Sequence, residues 1–216
     1  MLSDLIRRYF ALWAAALPVL VLPGCGANGP KSRVWADLSG PKPAALTFLR
    51  AIEQGDAQTA KNASLGTPQD KQFVDGMVAL LDGLKAYDRA LLSRFGPQAA
   101  AADVDLKQAI LTLAQDPLAR IEDGIVREGP DTAEIDPAFH GVRLTARPPI
   151  YLRKDKGLWR VDLPATARQD PRLDPVVARR YLAAGKALHD AARQIASGRY
   201  KTFAEAERAM DVQLPP

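Results

Sequence analysis

The sequence predicts an α+β fold, with helices leading, a small antiparallel sheet following and a long helix near the C-terminus. Three observations predict it. Apolar residues recur at helical spacing from Phe73 to Phe95, through Val74, Met77, Leu81, Leu84 and Leu91. The stretch Leu158–Leu163 alternates instead, Trp159, Val161 and Leu163 on one side against Leu158, Arg160 and Asp162 on the other. Strand-like segments follow the first helices in a block rather than alternating with them, which separates α+β from α/β.

In chain order, Arg7 and Arg8 precede an uncharged apolar run, Tyr9 to Leu22, broken by Pro18. At fourteen residues it is too short for a membrane span of about 20 and fits the core of a secretory signal. It ends in Leu22-Pro23-Gly24-Cys25, and Cys25 is the single cysteine of the chain. This resembles the bacterial lipobox, in which a leucine three places ahead and a glycine just ahead of a cysteine guide the lipoprotein signal peptidase. The resemblance implies a signal peptide over 1–24, read through Arg7, Arg8, Leu22 and Gly24, and a diacylglycerol (with palmitate-type chains) on Cys25. Pro23 stands where the family usually has Ala or Ser. Cleavage after Ala27 and an uncleaved anchor are the competing readings. The run Arg7-Arg8-Tyr9-Phe10 also resembles a twin-arginine export core, without its usual Leu, so both export routes are open. Gly26, rather than Asp, follows the cysteine, and either membrane of an envelope, outer or inner, is open.

Residues 25–42 read as a tether rich in Gly, Pro and Lys, with Trp35 expected to dock on the domain, or alternatively to sit in the lipid headgroup region. Pro43 opens a helix carrying Leu46, Phe48, Leu49 and Ile52, ended by Gly55, and Asp56 caps the next. Thr67-Pro68-Gln69-Asp70 is a capping signal for the long helix, which Gly96-Pro97 stops. A helix is expected over Val104–Ala114. Strands are expected over Ile121–Arg127, Thr132–Ile135 and Val142–Ala146. The clearest hairpin pairs Pro149–Arg153 with Leu158–Leu163 through Lys154-Asp155-Lys156-Gly157. Asp174-Pro175 starts a long helix that ends at Gly198, and Thr202–Glu205 is a capping box for a last short one.

Two of these segments, "FLRAIEQGDAQTAKNAS" and "GLWRVD", resemble the secreted bacterial versions of the nuclear-transport-factor-2-like (cystatin-like) α+β cone, matched at Gly157, Trp159, Val161 and Asp162. The resemblance covers 43–163 and implies a cone-like domain there, with 164–216 a helical extension packed on it. Its motifs are structural, and imply no particular chemistry.

The residues themselves offer little catalytic machinery. His140 and His189 have no companion ligand or base at helical or turn spacing, no set has metal-ligand spacing, and no nucleophile elbow or phosphate loop appears. With one cysteine there is no disulfide. No cofactor is implied. Asp75, Asp82 and Asp88 recur along the long helix as a solvated face. Tyr151 and Trp159 are candidates to line a pocket mouth, against the plainer reading of cross-strand packing. Formal net charge is +4, too small to argue nucleic-acid binding. It is unevenly spread: residues 44–136 carry 9 Lys/Arg against 15 Asp/Glu, and residues 137–211 carry 15 against 8. The basic last long helix and the residues after it (Arg179, Arg180, Lys186, Arg193, Arg199, Lys201) are expected to pack on the acidic N-terminal helices, with an anionic membrane surface beside the anchor as the alternative.

These observations lead to an exported, membrane-anchored lipoprotein of the cell envelope, with a non-catalytic module that binds an envelope protein or small ligand or serves a structural role. The alternative is a cone-type enzyme with a cryptic carboxylate site.

Overall fold

The computed structural model describes residues 35–97, 116–144, 148–170 and 173–213. The signal-like segment, Cys25, the helix expected over Val104–Ala114 and residues 145–146 of the expected third strand lie outside these. Among the described residues no helix is long and apolar enough to cross a membrane.

The fold is mixed α+β. Helix α1 (Pro41–Glu53) and the short α2 (Ala57–Asn62) lead into a two-residue strand, β1 (Ser64–Leu65). The long α3 (Gln72–Phe95) and the short α4 (Asp116–Glu122) follow. Strands β2 (Ile125–Glu128), β3 (Thr132–Asp136), β6 (Ile150–Asp155) and β7 (Leu158–Asp162) build the sheet, and β4 (Ala138–Phe139) pairs with β5 (Val142–Arg143) as a separate finger. Helix α5 (Leu163–Ala167), the long α6 (Pro175–Ala196) and α7 (Phe203–Gln213) complete it.

Local chemistry sets many of these boundaries. Gly55 turns the chain out of α1 at φ 76°, and the Asp56 carboxylate accepts the Thr59 N–H to cap α2. Ahead of α3, Asp70 accepts from both the N–H and the hydroxyl of Thr67, and its own N–H reaches the Thr67 oxygen. Asp174 caps α6 through the Val176 N–H at 2.7 Å. Both β-ribbons turn through two residues of positive φ, Lys156-Gly157 (51°, 81°) and His140-Gly141 (48°, 76°), the mirror-image turn that suits strand twist.

The sheet order is β1-β7-β6-β3-β2, antiparallel except that β1 runs parallel to β7, so it is mixed rather than wholly antiparallel. Three other expectations are corrected. The strand expected from Ile121 begins inside α4, because Pro117 suits a first helical turn and the helix runs to Glu122, with β2 starting only after Gly124. A Cβ at Gly124 would sit 2.7 Å from Ile135, so glycine lets β2 lie close against β3. Val142 joins the finger rather than the main sheet. The domain begins before Pro43: α1 starts at Pro41, the Asp37 N–H reaches the Thr47 hydroxyl at 3.1 Å, and the Trp159 N–H donates to the Leu38 carbonyl at 3.0 Å. Trp35, expected to dock, is 97% exposed.

One core lies between α1 and the sheet. Phe48 and Ile52 of α1 and Val74, Met77 and Leu81 of α3 meet Ala133, Ile135, Leu152, Trp159 and Val161 from one face of the strands. Each large side chain buried there contributes about 1.5–3 kcal/mol. A second core, with no sheet residue, joins Leu84, Tyr87 and Leu91 of α3 to Leu188, Ala191 and Ile195 of α6 and Ala206 of α7. Helices α3 and α6 run parallel: Gly76 faces Ala178, Gly83 faces Gly185, and Arg94 reaches Gly198. Their contact is made by small residues rather than by charge. Helix α6 thus packs on one of the N-terminal helices, as expected, with Arg179, Arg180, Lys186 and Arg193 exposed beside a seam of small residues.

Candidate functional site: the open face of the sheet

Strand pleating sends alternate side chains to opposite faces. Ala133 and Ile135 of β3 enter the core, which leaves Thr132, Glu134 and Asp136 on the other face. Cross-strand register then assembles a charged lattice. Arg127 stands opposite Glu134, Glu134 opposite Tyr151, and Arg153 opposite Arg160.

The lattice is internally paired. Arg127 contacts Glu134 at 2.6 Å and Asp136 at 2.8 Å, and Arg143, from the finger, meets the other Asp136 oxygen at 2.8 Å. Asp136 is 2% exposed and is therefore clamped between two half-exposed guanidiniums that arrive from different ribbons. The hydrogen bond to Glu134 pushes the Arg127 pKa up, and the Asp136 charge adds to it against some desolvation. Further along, Arg153 pairs with Asp162 at 3.3 Å and Arg160 with Asp155 at 3.2 Å. Four arginines thus face four carboxylates, and the face has little net charge with which to attract a polyanion.

Between β2, β3 and β6 this face holds an open groove of about 410 Å³, lined by Arg127, Gly129, Thr132, Glu134 and Tyr151 among others. The volume falls in the range of small-ligand sites. Its polar groups suit orientation of a small polar molecule: a phenol, a threonine hydroxyl, and an arginine–glutamate pair that can re-partner. Of the two carboxylates that line the groove, Glu134 is engaged by Arg127 and Glu128 is exposed at the edge.

The two candidate pocket residues are separated. Tyr151 lines the groove, with its backbone N–H held by the Thr166 hydroxyl at 3.2 Å. Trp159 is 2% exposed on the opposite face, in the core, under the Lys154 ammonium at 4.9 Å from its ring. It does not line the groove, because residue 159 has the opposite pleat parity from Arg160, which stands beside Arg153 on the open face. Asp75 pairs with Lys61 at 2.6 Å and converges with no second carboxylate on a cavity. Among the described residues no cluster of His, Cys, Asp and Glu has the makings of a metal site.

Sequence reasoning missed Asp136 and its clamp. The only trace was the alternation Thr132–Asp136, which places Glu134 and Asp136 on one face but is silent on the burial of Asp136. It also missed the finger. There Arg120 lies 4.7 Å over the Phe139 ring, the His140 N–H donates to Asp123, and Phe139 and Val142 remain exposed together with the nearby Ile125. This apolar group sits at the end of the sheet where β2 begins and β3 ends.

No protein-family model, no curated protein and no solved structure matches this chain.

Proposed function

We propose that this protein is an envelope lipoprotein, held to a membrane by a diacylglycerol on Cys25, whose α+β domain is a non-catalytic binding module. The observation that carries the reading is Leu22-Pro23-Gly24-Cys25 at the end of an apolar run that follows Arg7-Arg8. Two or more acyl chains hold a protein stably on a bilayer. Leu22, Gly24 and the arginines act only in export and processing; the mature chain starts at Cys25.

The module reading is supported by a face on which Glu134, Asp136, Asp155 and Asp162 are each engaged by an arginine, and by two surfaces that suit binding. The groove at Tyr151 suits a small polar ligand. The finger, with Phe139 and Val142, presents apolar area to an envelope protein. The sheet with α1 across one face is in keeping with a cone-type unit, and the close packing of α3 on α6 supports reading the C-terminal helices as an extension packed on it.

The test is a Cys25→Ala variant in a bacterial host, with metabolic palmitate labelling and fractionation. Loss of label and release from the membrane fraction is expected. Retention of both overturns the proposal.

A further inference from the structure

The N-terminal segment meets the domain at one end of the sheet. The Trp159 N–H bonds the Leu38 carbonyl, so Leu38 lies one residue from the β6–β7 tip, Lys156-Gly157. The β2–β3 turn is at the same end, since the Lys154 N–H donates to the Asp131 carbonyl. Trp35, three residues before Leu38, can be no further from it than about 11 Å. At this end two apolar side chains and a lysine stand exposed. Trp35 is 97% exposed, Leu158 is 42% exposed, and the exposed Lys156 makes no ion pair among the described residues. The finger lies at the opposite end, a further ~16 Å along β3 at about 3.3 Å per residue.

We infer that this end of the sheet rests on the bilayer surface, with Trp35 and Leu158 entering the boundary between headgroups and acyl chains and Lys156 meeting lipid phosphate. The inference rests on the anchor at Cys25. Ten peptide units from Cys25 to Trp35 reach at most about 36 Å, so the anchor enters the domain at this end and keeps it near the lipid; the finger, ~16 Å further on, is also within reach, and the exposed Trp35 and Leu158 favour this end for the contact. Tryptophan is the side chain best suited to that boundary, with an apolar body and one N–H for the wet side. Glu128 and Asp131 are exposed in the neighbouring turn, and Asp155 is paired with Arg160. The contact is therefore led by Trp35 and Leu158 rather than by charge, and it survives high salt. The finger is left at the end away from the membrane, whereas the groove, lined by Gly129 and Thr132 beside the β2–β3 turn, lies towards it.

The test uses the full lipidated protein in phosphatidylcholine/phosphatidylglycerol vesicles. With Trp159→Phe, Trp35 is the sole tryptophan after Cys25. Brominated acyl chains should remove most of its emission, acrylamide should remove little, and the emission should shift to the blue, at low and high salt alike. Protein that floats with the vesicles while Trp35 stays unquenched by bromine and open to acrylamide overturns the inference and leaves the anchor intact. Protein that fails to float overturns both. Because Trp159 is a core residue, a spin label on Leu158→Cys, with Trp159 kept, gives an independent reading. It should be reached by oxygen, whereas the same label on Val142→Cys should be reached by aqueous nickel chelate. Equal access of the nickel chelate to both overturns the inference.

Discussion

Replacing Gly185 with alanine pits helix propensity against packing. In an isolated helix the change favours folding by about 1 kcal/mol. Here the new Cβ would lie 2.4 Å from both the carbonyl carbon and oxygen of Ala79 and 2.8 Å from the Leu80 nitrogen, all backbone of the opposed helix. No side chain can swing aside, so α3 and α6 must part by about 1 Å to restore ordinary contact, and the side chains lining the seam lose a quarter to a half of their dispersion attraction. Overpacking of this kind costs typically 1–3 kcal/mol, and a backbone clash belongs at the upper end. The net expectation is a loss of about 1–2 kcal/mol, or a fall in Tm of roughly 2–8 °C at 2–4 °C per kcal/mol. Gly83→Ala meets Gly185 O at 2.7 Å and should lose somewhat less. The double variant should lose less than the sum, since helices already parted accept the second methyl more easily. Urea unfolding followed by circular dichroism measures all three. A Gly185→Ala protein as stable as the parent, or more so, refutes the close parallel pairing.

Three further predictions follow from individual contacts. Asp136→Asn removes the charge that Arg127 and Arg143 share. Because both arginines are half-exposed and can turn to water, it should cost about 1–3 kcal/mol rather than the 3–5 of a fully buried pair, and should raise hydrogen exchange in the finger; unchanged exchange there would mean that Asp136 does not hold it. Lys156→Asn should stabilise the hairpin by a few tenths to about 1 kcal/mol, since asparagine tolerates the φ of 51°, and an unchanged urea midpoint would count against that turn. The Asp37 carboxylate is held below its ordinary pKa of 3.8, first by the Ser39 hydroxyl and then by the Ser39 N–H. A depressed pKa gives stability that is present above the ordinary value and fades as pH falls through the lowered one. Ser39→Ala should therefore move the Asp37 titration, followed by NMR, upward, and an unmoved titration would show that the hydroxyl is not its partner.

What was legible in the sequence was local. The Lys156-Gly157 turn, the Asp174-Pro175 start and the period of α3 each depend on residues within one turn of each other and were read correctly, whereas the Thr67/Asp70 hydrogen bonds form a turn ahead of α3, which begins at Gln72 without a side-chain cap. The pairing of α3 with α6 was not legible. Gly76, Gly83 and Gly185 read in sequence as weak points in helices, and only a neighbour about a hundred residues away turns them into the contact. The parallel β1–β7 pair rests on two residues and has no pattern to read. The candidate site shows the same limit. Tyr151 was singled out because an aromatic in a hairpin is conspicuous, whereas Asp136 depends on Arg127 and Arg143 arriving from two ribbons. Trp159 was grouped with Tyr151 by chemical kind, and strand parity places the two on opposite faces.

The central claim is that Cys25 becomes a lipidated N-terminus. Mass spectrometry of the N-terminal peptide of the protein extracted from membranes tests it most directly. The account predicts a peptide that begins at Cys25 and carries the mass of a diacylglycerol on its sulfur. A peptide beginning at Asn28, or an unmodified Cys25 inside an uncleaved chain, would contradict it.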